Sequence, residues 1–397
     1  MSIAIYNPVC GNGTSKSFLE EEVIPLLDRA HKPTPKIIAT ERPGHAGEVV
    51  KEALETTEGE VVVILGSGDG TFHEIINFLS SSELKGRRAG ATLSKLYFAL
   101  VPCGTANALF SSFFPPLTPE SSNETTYKLQ SVQSFIDAKS AIPLTLAIST
   151  LSSSPEKHAH PKAVVSAVVV STCLHAAILN DSESLRQEIP GIERFKVAAH
   201  NNIAKWYSGH AKLLPAAKVG VVEVYDPLMK SFEPYSDGED DVVDVYGPFA
   251  YFLSTVNVDR LEPSFRITPL VKDITPVEAT CDLVMIRPLR DPSLSWDSSE
   301  TRQAFKPKLM KALQEAYNNG NHVNLTYNDK GEIVDRGDGP PVVEYIRCGG
   351  WEWVPDDVDG SAHLLCSDGF MSTIEKGGRA VCTAATPKED AGFMVYA

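Results

Sequence analysis

The sequence is short of positive charge. Lys and Arg number 36 against 51 Asp and Glu, a formal net charge of −15 over 397 residues. A general polyanion binder is thereby disfavoured, because non-specific nucleic-acid binding draws on surplus Lys and Arg to displace phosphate counterions. Long apolar runs are also missing. No stretch reaches the roughly 18 to 20 charge-free residues that a spanning helix needs. The nearest, Ala163 to Leu179, is broken by Ser166, Ser171, Thr172 and His175 and is rich in Val, so it reads as buried strand. The opening Met1-Ser-Ile-Ala-Ile-Tyr6 has neither a basic leader nor a small-residue cleavage site and reads as a β-strand. Seven scattered cysteines without a CxxC pair give neither zinc nor disulfide spacing, which leads to the expectation of a reducing, intracellular compartment.

What is there is an ordinary globular composition, 43% hydrophobic and 22% charged, long enough for two domains that each bury a core. From residue 1 to about 115 short apolar runs alternate with amphipathic stretches. The runs are Ile3 to Tyr6, Lys36 to Thr40, Glu60 to Leu65 and Leu96 to Val101; between them lie Phe18 to Ala30, His45 to Leu54 and Phe72 to Leu79. This pattern predicts a parallel α/β layer. Pro25 inside the first helical stretch predicts a kink or a late start. After a weakly periodic stretch, Thr118 to Ala138, strand-like segments separated by turns predict an antiparallel sandwich or barrel with one helix near Arg302 to Asn318. The fold expected is thus an α/β N-terminal domain over residues 1–140 followed by an antiparallel β-sandwich over 141–397. Two polar stretches, Ser149 to Lys162 and the acidic Pro234 to Asp244, read as surface insertions.

Three loops at strand ends carry the chemistry, where open α/β sheets bind ligands. Asn7-Pro-Val-Cys-Gly-Asn-Gly-Thr-Ser15 precedes a helix, and small residues with backbone N–H groups at a helix start suit an anion; a plain capped turn would look the same. The GxxxxGK[ST] spacing of a Walker loop is absent. Gly66-Ser-Gly-Asp-Gly-Thr71 follows the most hydrophobic strand. Its glycines permit close approach of a phosphate, and Asp69 can hold Mg²⁺ or accept a hydroxyl proton. Thr71 stands where the dinucleotide GxGxxG fingerprint needs Gly, which weakens a hydride-transfer reading. Pro102-Cys-Gly-Thr-Ala-Asn107 offers short hydrogen bonders beside Gly104. Together the loops point to a phosphoryl-bearing ligand across the strand ends. His45 and His73 read as helix-start or packing residues, since the carboxylate beside them fills the base role.

These segments, with Thr40-Glu-Arg-Pro-Gly-His-Ala46 and Gly66-Ser-Gly-Asp-Gly-Thr-Phe-His-Glu74, resemble the diacylglycerol kinase catalytic-domain family in order and spacing, and its sphingosine kinase and ceramide kinase branch in detail. Asn180-Asp-Ser-Glu-Ser-Leu-Arg186, Glu193-Arg-Phe195, Tyr207 to Pro215 and Cys366-Ser-Asp-Gly369 are similar to that branch further along. The resemblance implies an ATP- and Mg²⁺-dependent lipid kinase acting on the primary hydroxyl of a long-chain base, ceramide or related lipid. Asp69 would be the general base. Asn7, Pro8, Val9, Thr40, Glu41, Arg42, Pro43, Gly44, Glu74, Gly104, Thr105, Ala106, Arg186, Arg194, Asp368 and Gly369 would meet the nucleotide; Ser67, Gly68, Gly70 and Asp181 would meet the lipid head group. It further implies a cytoplasmic protein with transient peripheral membrane contact and no nucleic-acid partner.

Three positions depart from the pattern. Ala177 and Leu179 stand where the family has acidic or Gly-Asp residues, Phe370 replaces the carboxylate of a terminal DGE, and Glu278-Ala-Thr-Cys-Asp-Leu-Val284 replaces DGxLDLV. A catalytically weak or inactive binding homologue, a diacylglycerol kinase, and a soluble-substrate kinase of the nicotinamide-dinucleotide type are the alternatives.

Overall fold

The computed structural model describes residues 1–86, 89, 95–118, 120–153, 161–189, 191, 193–235, 242–387 and 391–397. Most of the acidic stretch, including Asp237, Glu239, Asp240 and Asp241, and residues 154–160 of the other expected insertion lie outside the described residues. The chain divides into two compact units: Met1–Leu146 with Arg260–Pro263 and Thr386–Ala397, and Ala147–Asp259 with Ser264–Ala385.

The first unit is built on strands β1 (Ser2–Tyr6), β2 (Lys36–Ala39), β3 (Val61–Ser67) and β4 (Leu96–Pro102). They pair in parallel in the order β2-β1-β3-β4, and the sheet continues through the C-terminal strand Phe393–Tyr396 to an antiparallel edge, β5 (Ala141–Pro143). Every residue of β3 is buried, as its unbroken Val-Val-Val-Ile-Leu run requires of a strand covered on both faces. The order reverses between β1 and β3, and such a switch point opens a crevice at the carboxyl ends of those strands.

The helices place the connecting loops at that end. The first comprises α1 (Ser15–Phe18), a π-helical turn at Leu19–Val23 and α2 (Ile24–Arg29). Pro25 has no N–H to continue an i→i−4 ladder and sits in the first turn of α2, so the expected kink takes the form of a widened turn before it. Leu19, Val23 and Leu27 project from this helix into a cluster with Ala4, Ile64, Ala99 and Val101. α3 (His45–Thr56) buries Ala46, Val50, Ala53 and Leu54, the face its spacing predicts, while Val49 is half-buried. α4 (Asp69–Ser80) and α5 (Ala108–Phe113) follow β3 and β4.

The second unit carries two sheets whose described pairings are antiparallel. One runs 231–234, 223–226, 344–348, 281–286, 251–255, 169–172, 364–367, 370–373; the other runs 243–246, 209–214, 350–355, 379–385, 146–152, 162–166. This is the sandwich-like architecture expected. Trp351 and Trp353, alternate residues of one strand, are fully buried, and each indole N–H is satisfied: Trp351 donates to Ser254 Oγ at 2.9 Å and Trp353 to the Ala362 carbonyl at 2.9 Å. The long helix Ser299–Tyr317 opens on a capping box in which Ser298 and Thr301 exchange bonds of 3.2 and 2.8 Å.

Two readings of the sequence are corrected here. Ala163 to Leu179 is not one buried strand: strands Lys162–Ser166 and Val169–Thr172 give way to a helix, Cys173–Ser184, whose Leu174, Ala176 and Ala177 are buried. An apolar run does not by itself distinguish a core strand from a fully covered helix. The segment from Ser149 is strand as far as Ser152 rather than surface loop.

Candidate active site

Four loops meet at the carboxyl ends of β1 to β4, and short bonds stitch them together. In the first, Asn7 Oδ1 accepts the Val9 N–H at 3.1 Å, the Cys10 N–H reaches the Asn7 carbonyl at 3.1 Å, and Ser15 Oγ donates to the same carbonyl at 3.3 Å. The Cys10 thiol donates to the Cys103 carbonyl at 3.4 Å, joining this loop to the one after β4. A side chain on Gly11, which has φ +54°, would strike that carbonyl. The Cys103 thiol is itself pushed up to about 11, chiefly by burial and secondarily by Cys10.

In the second loop Thr40 donates its N–H to the Tyr6 carbonyl at 2.9 Å, and the Glu41 N–H donates to His45 Nδ1 at 3.1 Å, which makes His45 a helix-start partner. Gly44, with φ +85°, turns the chain into α3. Arg42 forks onto Glu48 with bonds of 2.9 and 2.6 Å. The Glu48 carboxylate raises the Arg42 pKa, and Arg42 in turn lowers that of Glu48. Both side chains are exposed.

The centre of the site is the loop after β3. Asp69 is the first residue of α4, and its carboxylate accepts the N–H groups of Ala108 at 2.6 Å and Leu109 at 3.2 Å, the first turn of α5. Ser67 Oγ lies 2.7 Å from Thr71 Oγ1 beneath it. Gly68 and Gly104 face each other closely: a Cβ on Gly68 would come within 3.0 Å of the Gly104 Cα, and a Cβ on Gly104 within 2.5 Å of the Gly68 Cα. Neither position has room for a side chain. By contrast, a Cβ on Gly70 or Gly44 would meet nothing within 4 Å, so the loops leave open space where a ligand can approach the backbone. Glu74 Oε1 accepts the Ala46 N–H at 3.1 Å and so links α4 to the start of α3. A crevice of about 10 Å³, lined in part by Ser67, Gly68, Asp69, Phe110 and Asn107, opens beside the carboxylate; it has room for roughly one water molecule.

Asn107 is the residue that motif reading undervalued. It adopts φ +52°, accepts the Gly104 N–H at 2.8 Å through Oδ1 and donates through Nδ2 to the Gly104 carbonyl at 2.8 Å. It therefore clasps its own loop. The available signal was the tolerance of Asn for the left-handed region together with its place directly before a helix.

The first unit thus gathers Asn7, Pro8, Val9, Thr40, Glu41, Arg42, Pro43, Gly44, Ser67, Gly68, Asp69, Gly70, Glu74, Gly104, Thr105 and Ala106, with Val9 85% exposed at a loop tip. Asp181, Arg186, Arg194, Asp368 and Gly369 belong to the second. There Asp181 accepts from Asn202 Nδ2 at 2.7 Å and Asn180 Nδ2 at 3.2 Å. Arg186 pairs with Glu183 at 2.9 Å, and the Arg194 guanidinium lies 4.6 Å from the centroid of the Phe195 ring. Burial, then the charge of Arg186, lowers the Arg194 pKa. Asp368 departs most from the role implied for it. Its buried carboxylate accepts the N–H groups of Ala167, Val168 and Val169 at 2.8, 3.0 and 2.8 Å, so it holds the turn between two strands. Phe370, half-exposed, receives Lys162 over its ring at 5.4 Å.

A parallel sheet with its loops gathered around an aspartate at a helix start is the geometry that the comparisons with known proteins bear on. Residues 2–136 match the model of the diacylglycerol kinase catalytic domain. The enzyme class it defines is that of a lipid kinase. Among solved structures, the chain is similar to a candidate diacylglycerol kinase from Bacillus anthracis str. Sterne at 15% identity, covering 96% of this chain and 91% of the other with a TM-score of 0.50. Yeast NADH kinase complexed with NADH matches at 10% identity over 100% and 83% of the two chains, with a TM-score of 0.39. No curated protein matches the sequence.

Proposed function

We propose that the chain transfers the γ-phosphoryl group of ATP to the primary hydroxyl of a sphingoid long-chain base, ceramide or related lipid, with Asp69 as general base. In this reading residues 1–140 bind the nucleotide and residues 141–397 carry the lipid. The observation that supports it is the position of Asp69: at the start of α4, directly after Gly68, whose backbone packs against that of Gly104, and directly before Gly70, where a side chain would meet only open space. The two backbone donors of α5 aim the carboxylate.

The step is an in-line displacement. The acceptor oxygen bonds to the γ-phosphorus as the bond to the departing ADP oxygen breaks, and Asp69 takes the hydroxyl proton. Such a transfer needs positioning and charge compensation more than covalent chemistry. The start of α4 contributes backbone N–H groups and the positive end of a helix dipole. Arg42 contributes a planar fork that fits two phosphate oxygens, provided that Glu48 shares it.

The residues present are compatible with Mg²⁺. No group of three or more His, Cys, Asp or Glu able to hold a metal occurs among the described residues. Mg²⁺ is usually held by one or two carboxylates together with phosphate and water. When bound it would compensate phosphate charge, held chiefly by phosphate and water so that the Asp69 carboxylate stays available for the proton.

For the acceptor, Asp181 shares its oxygens with two carboxamides, a polar cluster that suits a hydroxyl or amide head group. A lipid acceptor implies transient peripheral contact with a membrane; no helix among the described residues is long and apolar enough to cross one. A second reading, a binding protein without turnover, is favoured by the helix-capping duty of Asp69 and by Phe370 in place of a carboxylate. Radiolabelled ATP with a lipid panel separates the two. Incorporation that disappears in Asp69→Asn supports the kinase; no incorporation by the wild-type chain on any lipid supports the binder.

A further inference from the structure

The second unit contains a cleft of about 520 Å³, within the range of small-molecule sites. Four segments wall it: the hairpin turn at Lys230, the segment from Arg266 to Ile274, the segment from Asn318 to Asn324 that follows the long helix, and the turn at Arg336 after strand 333–335. Three cations line it, Lys230, Arg266 and Arg336, against one carboxylate, Asp273. Arg266 is already neutralised, by Asp259 at 2.7 Å and Asp273 at 2.7 Å. Lys230 and Arg336 have no ion-pair partner among the described residues, although the whole chain is acidic by 15 charges. Of the nearby carboxylates, Asp226 spends one oxygen on the N–H groups of Leu228 and Met229 at 2.7 and 3.1 Å. Asp335 and Asp338 flank Arg336 along the chain but do not line the cleft.

The backbone marks the same place. Lys230 has φ +55° and Arg336 φ +54°, with Asn319 at +50° and Gly320 at +77° on the facing wall. Glycine enters this region freely, whereas Lys and Arg do so against a steric cost. Each cation thus occupies a position where Gly would fit the backbone better. Carboxamides from the 318–324 segment line the facing wall: Asn318 and Asn321 donate to Glu315 at 2.8 and 3.0 Å and Asn324 donates to Asn321 Oδ1 at 3.0 Å, which leaves the Oδ1 atoms of Asn318 and Asn324 and the Asn319 carboxamide to meet a ligand.

We propose that this cleft binds a phosphate monoester, with Lys230 and Arg336 as the cationic contacts and the carboxamides meeting hydroxyls of the ligand. The proposal is independent of phosphoryl transfer in the first unit, and either can fail without the other. The monoester could be a free phosphorylated metabolite or the head group of an acidic phospholipid, and two probes distinguish these sources. Glycerol 3-phosphate is titrated calorimetrically into the full chain, and flotation is measured with phosphatidylcholine vesicles with and without phosphatidic acid. Both are repeated with the Lys230→Gly/Arg336→Gly double variant.

Glycine suits both backbone conformations, so the double variant is expected to fold with an unchanged or higher melting temperature. It should lose affinity by about tenfold or more in whichever arm binds, the scale of one charge-assisted hydrogen bond. Binding by glycerol 3-phosphate assigns a soluble ligand, and flotation that requires phosphatidic acid without glycerol 3-phosphate binding assigns a lipid surface. Equal binding by wild type and double variant would overturn the proposal, as would the absence of binding in both arms.

Discussion

The Asp69 carboxylate accepts the Ala108 N–H at 2.6 Å and so fastens the first turn of α4 to the first turn of α5. One side chain therefore holds two strand-end loops together while lining the crevice between them. Its structural duty and the proposed chemical one are separable. Asp69→Ala should destabilise the chain by about 0.5–2 kcal/mol, the usual cost of losing a helix-capping oxygen. Asp69→Asn, which keeps one acceptor oxygen, should cost less. Urea denaturation of both variants measures the difference.

Asn107 acts on the same junction from the other side. Asn107→Ala removes both bonds to Gly104 and leaves at φ +52° a residue that tolerates the left-handed region less well than Asn; Asn107→Gly removes the bonds and relieves the backbone. Each lost bond is worth about 0.5–1.5 kcal/mol. Both variants should lower kcat by more than they change the KM for ATP, because the clasp orients the residues that flank Asp69. Equal changes in the two variants would assign the effect to the bonds rather than to strain.

Arg42 is held by Glu48 in an exposed ion pair. If Arg42 serves the phosphates, Glu48 competes with them, and Glu48→Gln should lower the KM for ATP by up to about fivefold, the modest effect expected of an exposed ion pair. An unchanged KM would reduce the pair to surface decoration.

His175 and His322 give the second unit a pH signature. Burial pushes each down to about 4 from 6.5. Above pH 6.5 both are neutral in the folded and unfolded chain. As pH falls from 6.5 towards 4 the unfolded chain binds protons that the folded chain refuses, so stability is lost across that window and the loss levels off below it. His175→Asn should show a shallower decline in urea midpoint between pH 7 and 5 than the wild-type chain.

The first unit was largely legible because parallel strands buried on both faces read as continuous apolar runs, and the loops after them are rich in Gly, Ser and Asp for reasons visible one residue at a time. β1 to β4 and the loops around Asp69 fall where the runs and motifs put them. The strand Phe393–Tyr396 did not, because nothing local tells a terminal segment to return beside β4. The helix at Cys173–Ser184 was hidden because its largely apolar first half, Cys173 to Leu179, continues the apolar run of the preceding strand, and most of its polar residues come only after it. Asp368 kept its motif while its oxygens turned inward to three backbone donors, a distinction that only the position of Ala167 to Val169 reveals.

The central claim is that Asp69 takes the proton from a lipid hydroxyl. Its most direct test is transfer of label from γ-³²P-ATP to a panel of long-chain bases, ceramides and diacylglycerols, by wild type and Asp69→Asn with Mg²⁺ present. The account predicts a labelled lipid with the wild-type chain and a fall of about 10² to 10⁴ in rate in the variant, with the denaturation midpoint little changed. Equal incorporation by the two proteins would contradict it.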